Sequence, residues 1–179
     1  MKQNYKFILL NTLGIFLLSF LCHFIYDWFP NSFTTIFFPV NESIWEHVKM
    51  LFTTIMIWGV IEYFIYKRKD IPLHNFFITL LGSALLNIVV LLILYLPTYY
   101  LLGEHMILTF IILLASIFIS QWIIFKVNYK KEAKILNTIC IIGIPLMFCL
   151  FGYLTYHPIK CDLFFDPMEE KYGLSTLNE

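Results

Sequence analysis

Five apolar runs, at 7–29, 43–66, 73–96, 106–126 and 135–156, are each long enough to cross a bilayer. The hydrocarbon core is about 30 Å thick and a helix rises about 1.5 Å per residue, so roughly 20 apolar residues span it. Backbone amides in lipid must bond within their own segment or close into a barrel, and runs without period-two alternation exclude the barrel. The expected fold is all-α: an integral membrane bundle of five transmembrane helices. It is expected to form a single membrane domain over residues 1–179, with an extracytoplasmic tail at 157–179.

Soluble alternatives fail on charge. Only 13% of the residues are charged and 60% are hydrophobic, whereas a soluble domain carries about 25% charged residues to cover its surface. Twelve basic and twelve acidic residues cancel. No basic block forms a nucleic-acid footprint, so membrane lipids and no nucleic acid are the expected partners. The residues after Cys22 are His, Phe, Ile, Tyr and Asp, which do not make a cleavage site, and Leu21 spoils a lipoprotein box. The four cysteines form no Cys-x-x-Cys pair, and Cys140 and Cys149 read as packing residues within the fifth span.

Lysine and arginine set the orientation. Lys2 and Lys6 precede the first span, Lys67, Arg68 and Lys69 follow the second, and Lys126, Lys130, Lys131 and Lys134 follow the fourth. With five alternating spans these fall on one side, which predicts a cytoplasmic N-terminus and an extracytoplasmic C-terminus. Gly82, Ser83, Ala84, Gly143 and Gly152 suit close helix packing, and Asn11, Asn87, Gln121 and Asn137 are expected to bond across helices. The loop from Ser32 to Pro39 is apolar and is expected to lie in the membrane interface.

The acidic residues cluster opposite the basic ones. Asp27, Glu42, Glu46, Glu104, Asp162, Asp166, Glu169, Glu170 and Glu179 all fall at the outer ends, with His23, His47, His105 and His157. Carboxylates hardly influence insertion, so orientation does not explain this. His23 and Asp27 are four apart and share a helix face, as do Glu42 and Glu46, and a short loop joins the two sets. A polar layer inside a span should face the bundle interior or a watery cavity. Crowded carboxylates take up protons or bind a cation. Histidine with carboxylate suits zinc, manganese or iron. The expected metal ligands are His23, Glu42, Glu46, His47, His157, Asp162 and Asp166, with Glu46 or Asp27 as general base in catalysis. Lys49, with Lys160 in the tail, is the expected local counter-charge. A plainer role competes for Glu46: Ser43-Ile44-Trp45-Glu46 matches a helix capping box.

Known catalytic motifs are incomplete. Ser43-x-x-Glu46-His47 has serine where an inverted zinc-protease motif has histidine, and no His-Glu-x-x-His occurs. His23-x-x-x-Asp27 shares its spacing with the membrane hydrolases that include alkaline ceramidases, but their seven spans and late His-x-x-x-His are missing. The run Pro39-Val40-Asn41-Glu42-Ser43-Ile44-Trp45-Glu46-His47-Val48-Lys49, with His23 upstream and Tyr156-His157-Pro158, Phe165-Asp166-Pro167 and Tyr172-Gly173 downstream, resembles an uncharacterised family of small bacterial membrane proteins. The resemblance covers nearly the whole chain. It implies a multi-pass protein of the bacterial plasma (inner) membrane and lends no mechanism.

Three functions fit these observations. One is a metal-dependent hydrolase or transferase acting on a lipid-type substrate at the outer leaflet. Another is a cation- or proton-coupled transporter or channel subunit. The last is a non-catalytic membrane assembly partner.

Overall fold

The computed structural model describes residues 5–71, 73–128 and 132–174. Lys2, Lys130, Lys131 and Glu179, which entered the charge argument, lie outside the described residues, as does the side chain of Lys126. Among the described residues, five helices are long and apolar enough to cross a membrane: α1 (Tyr5–Trp28), α3 (Ile44–Arg68), α4 (Phe76–Leu102), α5 (Met106–Asn128) and α6 (Lys134–Tyr156), with a short α2 (Ser32–Phe37) between the first two. After α6 the chain makes a 3-10 turn (Asp162–Phe164) and a two-residue antiparallel pairing of β1 (Phe165–Asp166) with β2 (Lys171–Tyr172).

Polarity decides which helix is central. Lipid solvates leucine as well as a protein core does, so the helix carrying the polar side chains is the one that must be surrounded. That helix is α3, which buries Glu46, Lys49, Thr53 and Thr54 together with Val48, Leu51, Phe52 and Ile55. It packs on α1 and α4, while α4 also packs on α5 and α6, and α1 on α5. Outer helices show the reverse pattern. On α1, Leu13, Leu17, Leu21 and Phe24 are exposed while Asn11, Thr12, Ile15, Ser19 and Cys22 are buried.

Cross-helix polar bonds form largely where the residue types predict. Asn87 donates to Ser116 and Ser120 of α5. Asn137 of α6 accepts from the backbone of Phe77 and Ile78, covering free amides at the start of α4. Gly14 of α1 meets the indole of Trp58: a Cβ there would lie 1.9 Å from the ring. Trp58 Nε1 then reaches Asn11 Oδ1 at 3.3 Å.

Two segments hold more helix than the sequence suggests. The apolar Ser32–Pro39 loop contains helix α2 over Ser32–Phe37. Asn31 caps α2 by accepting from Phe33 N and Thr34 N, and the Thr34 hydroxyl returns the bond to Asn31 N. Thr34, Thr35 and Phe38 are buried, with Ile36 against Gly152 of α6. Pro97 does not break its helix. α4 continues to Leu102, and the Thr98 hydroxyl shares its hydrogen between the carbonyls of Leu94 and Tyr95 in the turn that holds the proline.

Candidate metal centre

Residues 29–43, which include α2, join α1 to α3 at one end of the bundle, so the end of α1 and the start of α3 lie together there. There the structure brings together His23, Glu42 and His47. His23 Nε2 and His47 Nε2 are 3.2 Å apart, and each is 3.5 Å from Glu42 Oε2. Four-coordinate zinc with ligands at about 2.0–2.1 Å has ligand atoms about 3.3–3.4 Å apart. The three atoms therefore match one face of a zinc tetrahedron, and the set could hold a metal ion. A fourth position would remain for water or substrate, the pattern of catalytic sites.

The tautomer of His47 follows from its surroundings. Its Nδ1 lies 2.9 Å from the carbonyl of Ser43, and a carbonyl can only accept. Nδ1 therefore carries the hydrogen, and in the neutral ring Nε2 offers a lone pair to the centre of the triangle; a carbonyl that accepts the other ring N–H fixes a metal-binding imidazole in this tautomer. The hydrogen bond from His23 holds the Glu42 carboxyl below its ordinary value, against the opposing effect of partial burial, and charge on His47 and His23 adds to it. Glu42 thus stays ionised well into acid. The stabilisation from its pairing is complete above the ordinary carboxylate range near about 4.3 and is lost as pH falls through the lowered value.

Glu42 sits on a segment held from two directions. Beneath it, Glu46 Oε2 accepts from Val40 N at 3.1 Å. Above it, Asp166 Oδ2 accepts from Glu42 N at 3.2 Å, while Asp166 Oδ1 caps the turn at Met168 and Glu169. Asn41 Nδ2 donates to Gly173 O and Asn41 Oδ1 accepts from Ser43 N. Phe164 of the tail stacks on Trp45 with centroids 4.7 Å apart. Gly173 allows this closure: its φ is +57° and a Cβ would lie 2.5 Å from the Thr155 carbonyl. Gly173→Ala is expected to cost about 1–3 kcal/mol through that strain, seen as a lower unfolding midpoint in detergent and faster proteolysis of the tail.

The remaining candidates are placed as follows. Glu46 is 1% exposed and spends both oxygens on other groups: Lys49 Nζ at 2.5 Å and Val40 N on Oε2, and the Thr155 hydroxyl at 2.8 Å on Oε1. Its own amide bonds Ser43 Oγ at 3.4 Å, so half of the capping box is present. The Ser43 amide turns to Asn41 instead. Asp27 is exposed and lines, with His23, Glu42, Asp166 and Glu169, a polar cavity of about 220 Å³. Asp166 is 1% exposed and bound to amides. Asp162 is exposed and accepts from Tyr100 at 3.3 Å, and His157 is exposed with its ring 5.0 Å from Tyr153. Neither shares the triangle.

Sequence reading missed the contributions of Thr35, Thr155 and Asn41. Lys49 spends its three hydrogens on Glu46, the Thr35 carbonyl and the Thr155 hydroxyl. A threonine near the end of an apolar span carries no local signal of that duty. On the other side of the triangle, Glu42 and His47 also border an apolar cavity of about 90 Å³ between α3, α4 and α5, lined by Met50, Leu91, Tyr95 and Leu113.

Comparison with known proteins agrees with the resemblance at the level of family. No curated protein and no solved structure matches the chain. The model of a family of unknown function, DUF6512, matches residues 1–174. On that match over nearly its whole length, this multi-pass chain belongs to the family of unknown function DUF6512.

Proposed function

We propose that this protein is a metal-dependent hydrolase or transferase acting on a lipid-type substrate at the outer leaflet of a bacterial plasma membrane. In this reading residues 1–179 form one membrane domain with a cytoplasmic N-terminus and the histidine end outside. The observation that carries the proposal is the triangle of His23, Glu42 and His47, spaced for zinc and set between a polar and an apolar cavity. Manganese or iron would accept the same donors.

Each residue has a role in this reading. His23, Glu42 and His47 would hold the metal, which would supply a bound water of lowered pKa and a Lewis acid for an acyl or phosphoryl oxygen. Asp27, on the polar cavity wall, takes the proton from the attacking water or alcohol. Met50, Leu91 and Leu113 receive the apolar part of the substrate, which places its reacting bond at the boundary between the cavities. Glu46 and Asp166 act as positioning residues, because their oxygens hold the amides of Val40 and of Glu42 itself. His157 and Asp162 stand apart from the triangle.

The test is purified protein loaded with zinc and incubated with phospholipid vesicles, with products read by mass spectrometry. Stoichiometric zinc, turnover that chelation abolishes, and an Asp27→Asn variant that keeps zinc but loses turnover are expected. Absence of stoichiometric metal would overturn the site, and metal without turnover on any lipid class would overturn the reaction. Binding should also depend on pH in a defined sense. Imidazoles must be neutral to bind metal, so zinc affinity is expected to fall at least about tenfold between pH 7.5 and 5.5. Glu42 remains ionised across that window, so the imidazoles carry the fall.

A further inference from the structure

A second ionisable site lies at the other end of the bundle. Glu62 follows His47 by fifteen residues on α3, about 22 Å along the helix axis. Its Oε1 accepts from Asn11 Nδ2 of α1. Asn11 is 5% exposed, and its Oδ1 accepts from Trp58 Nε1 at 3.3 Å. An indole nitrogen can only donate, so Trp58 fixes the amide with its oxygen toward the indole and its hydrogens toward Glu62. Gly14 lets the indole into that position.

A cavity of about 30 Å³ opens beside the carboxyl, room for about one water. α1 presents Asn11 to it, α4 presents Thr79 and Ser83, α5 presents Gln121, and α3 adds Tyr66, the other titratable group on the wall. Among the described residues no lysine, arginine or histidine lies within ion-pair distance of Glu62, and no metal-holding group includes it.

A carboxylate inside a membrane bundle needs a positive companion, whether a basic side chain, a metal ion or a proton. The described residues offer no basic partner. A metal ion fits poorly, because the fixed amide turns its hydrogens and not its oxygen toward the carboxyl, and a single-water cavity cannot take a hydrated cation. The proton remains. We propose that Glu62, with its orientation fixed by Asn11 and Trp58, is a proton-binding site that exchanges with water through this small polar cavity. Oε1 is held by Asn11, and Oε2 carries the exchangeable proton. The site is independent of the metal centre, because its wall shares no residue with the triangle.

The experiment uses the full chain in lipid vesicles and dicyclohexylcarbodiimide, which adds across the O–H of a protonated carboxyl in an apolar setting and rearranges to a stable acylurea with nothing lost. Peptide mass spectrometry is expected to find the adduct on Glu62 at pH 6, at least about tenfold less of it at pH 9, and no change with sodium or choline chloride. Infrared spectra at pH 6 should show the carbonyl stretch of a protonated carboxyl, absent in Glu62→Gln. Absence of both the adduct and the stretch at pH 6 would overturn the proposal. Protection by sodium but not choline would also overturn it, in favour of a cation site. Trp58→Phe removes the indole N–H and frees the amide to turn its oxygen toward the protonated carboxyl, so labelling at pH 6 is expected to hold or rise while zinc binding at the distant histidines is unchanged; loss of the label in this variant would overturn the role given to the fixed amide.

Discussion

Glu42→Gln and His47→Ala are each expected to reduce zinc affinity by well over 100-fold, with the wild-type chain binding one zinc. The magnitude follows from position. Loss of a group that merely orients a metal ligand costs about 10–100-fold in affinity, so loss of a ligand costs more. That scale makes the variants a graded set. Asp166→Asn weakens the grip on the Glu42 amide and is expected to fall in the 10–100-fold range. His157→Ala and Asp162→Ala change exposed groups outside the triangle and are expected to leave affinity within twofold. Competition against a chelating dye in detergent measures all five. Equal losses across the set would mean that zinc is held by general acidity of this end and not by His23, Glu42 and His47.

This grading also shows what the sequence can and cannot convey. The five helices are legible because lipid imposes a length and an apolar composition that no other environment demands together. The meeting of His23 with the start of the second long helix is legible from the short loop between them. What the spacing does not reveal is how neighbours divide their duties. Glu46 and His47 are adjacent in sequence, yet successive helical residues point about 100° apart. His47 therefore turns toward α1 and His23, while Glu46 turns inward to Lys49 and Thr155. Glu42 precedes the N-cap Ser43, so its direction is set by the loop and not by the helix, and it meets His47 where helical spacing would have paired it with Glu46. The two-residue hairpin around Asp166 is too short for a hydrophobic pattern, and its docking depends on Trp45 and Thr155, both distant in sequence.

The inward turn of Glu46 leads to the largest expected effect on stability. Lys49 is fully buried and Glu46 nearly so, and all three ammonium hydrogens and both carboxylate oxygens are bonded. Removing one member of a buried pair leaves an uncompensated charge and costs about 3–5 kcal/mol, whereas replacing both by apolar residues of similar size is often close to neutral. Lys49→Met and Glu46→Gln are accordingly each expected to lower the unfolding midpoint sharply or to reduce accumulation in the membrane. The double variant Glu46→Leu with Lys49→Met should recover much of that loss. Recovery of the fold need not restore the site, because leucine cannot accept the Val40 amide and the Glu42 segment loses its lower support. Chain stability and zinc affinity then separate: the double variant is expected to fold and to bind zinc about 10–100-fold more weakly. A double variant with native affinity would show that Asp166 alone positions Glu42. A double variant as unstable as either single one would show that the pair holds α2, α3 and α6 together through bonds that packing cannot replace.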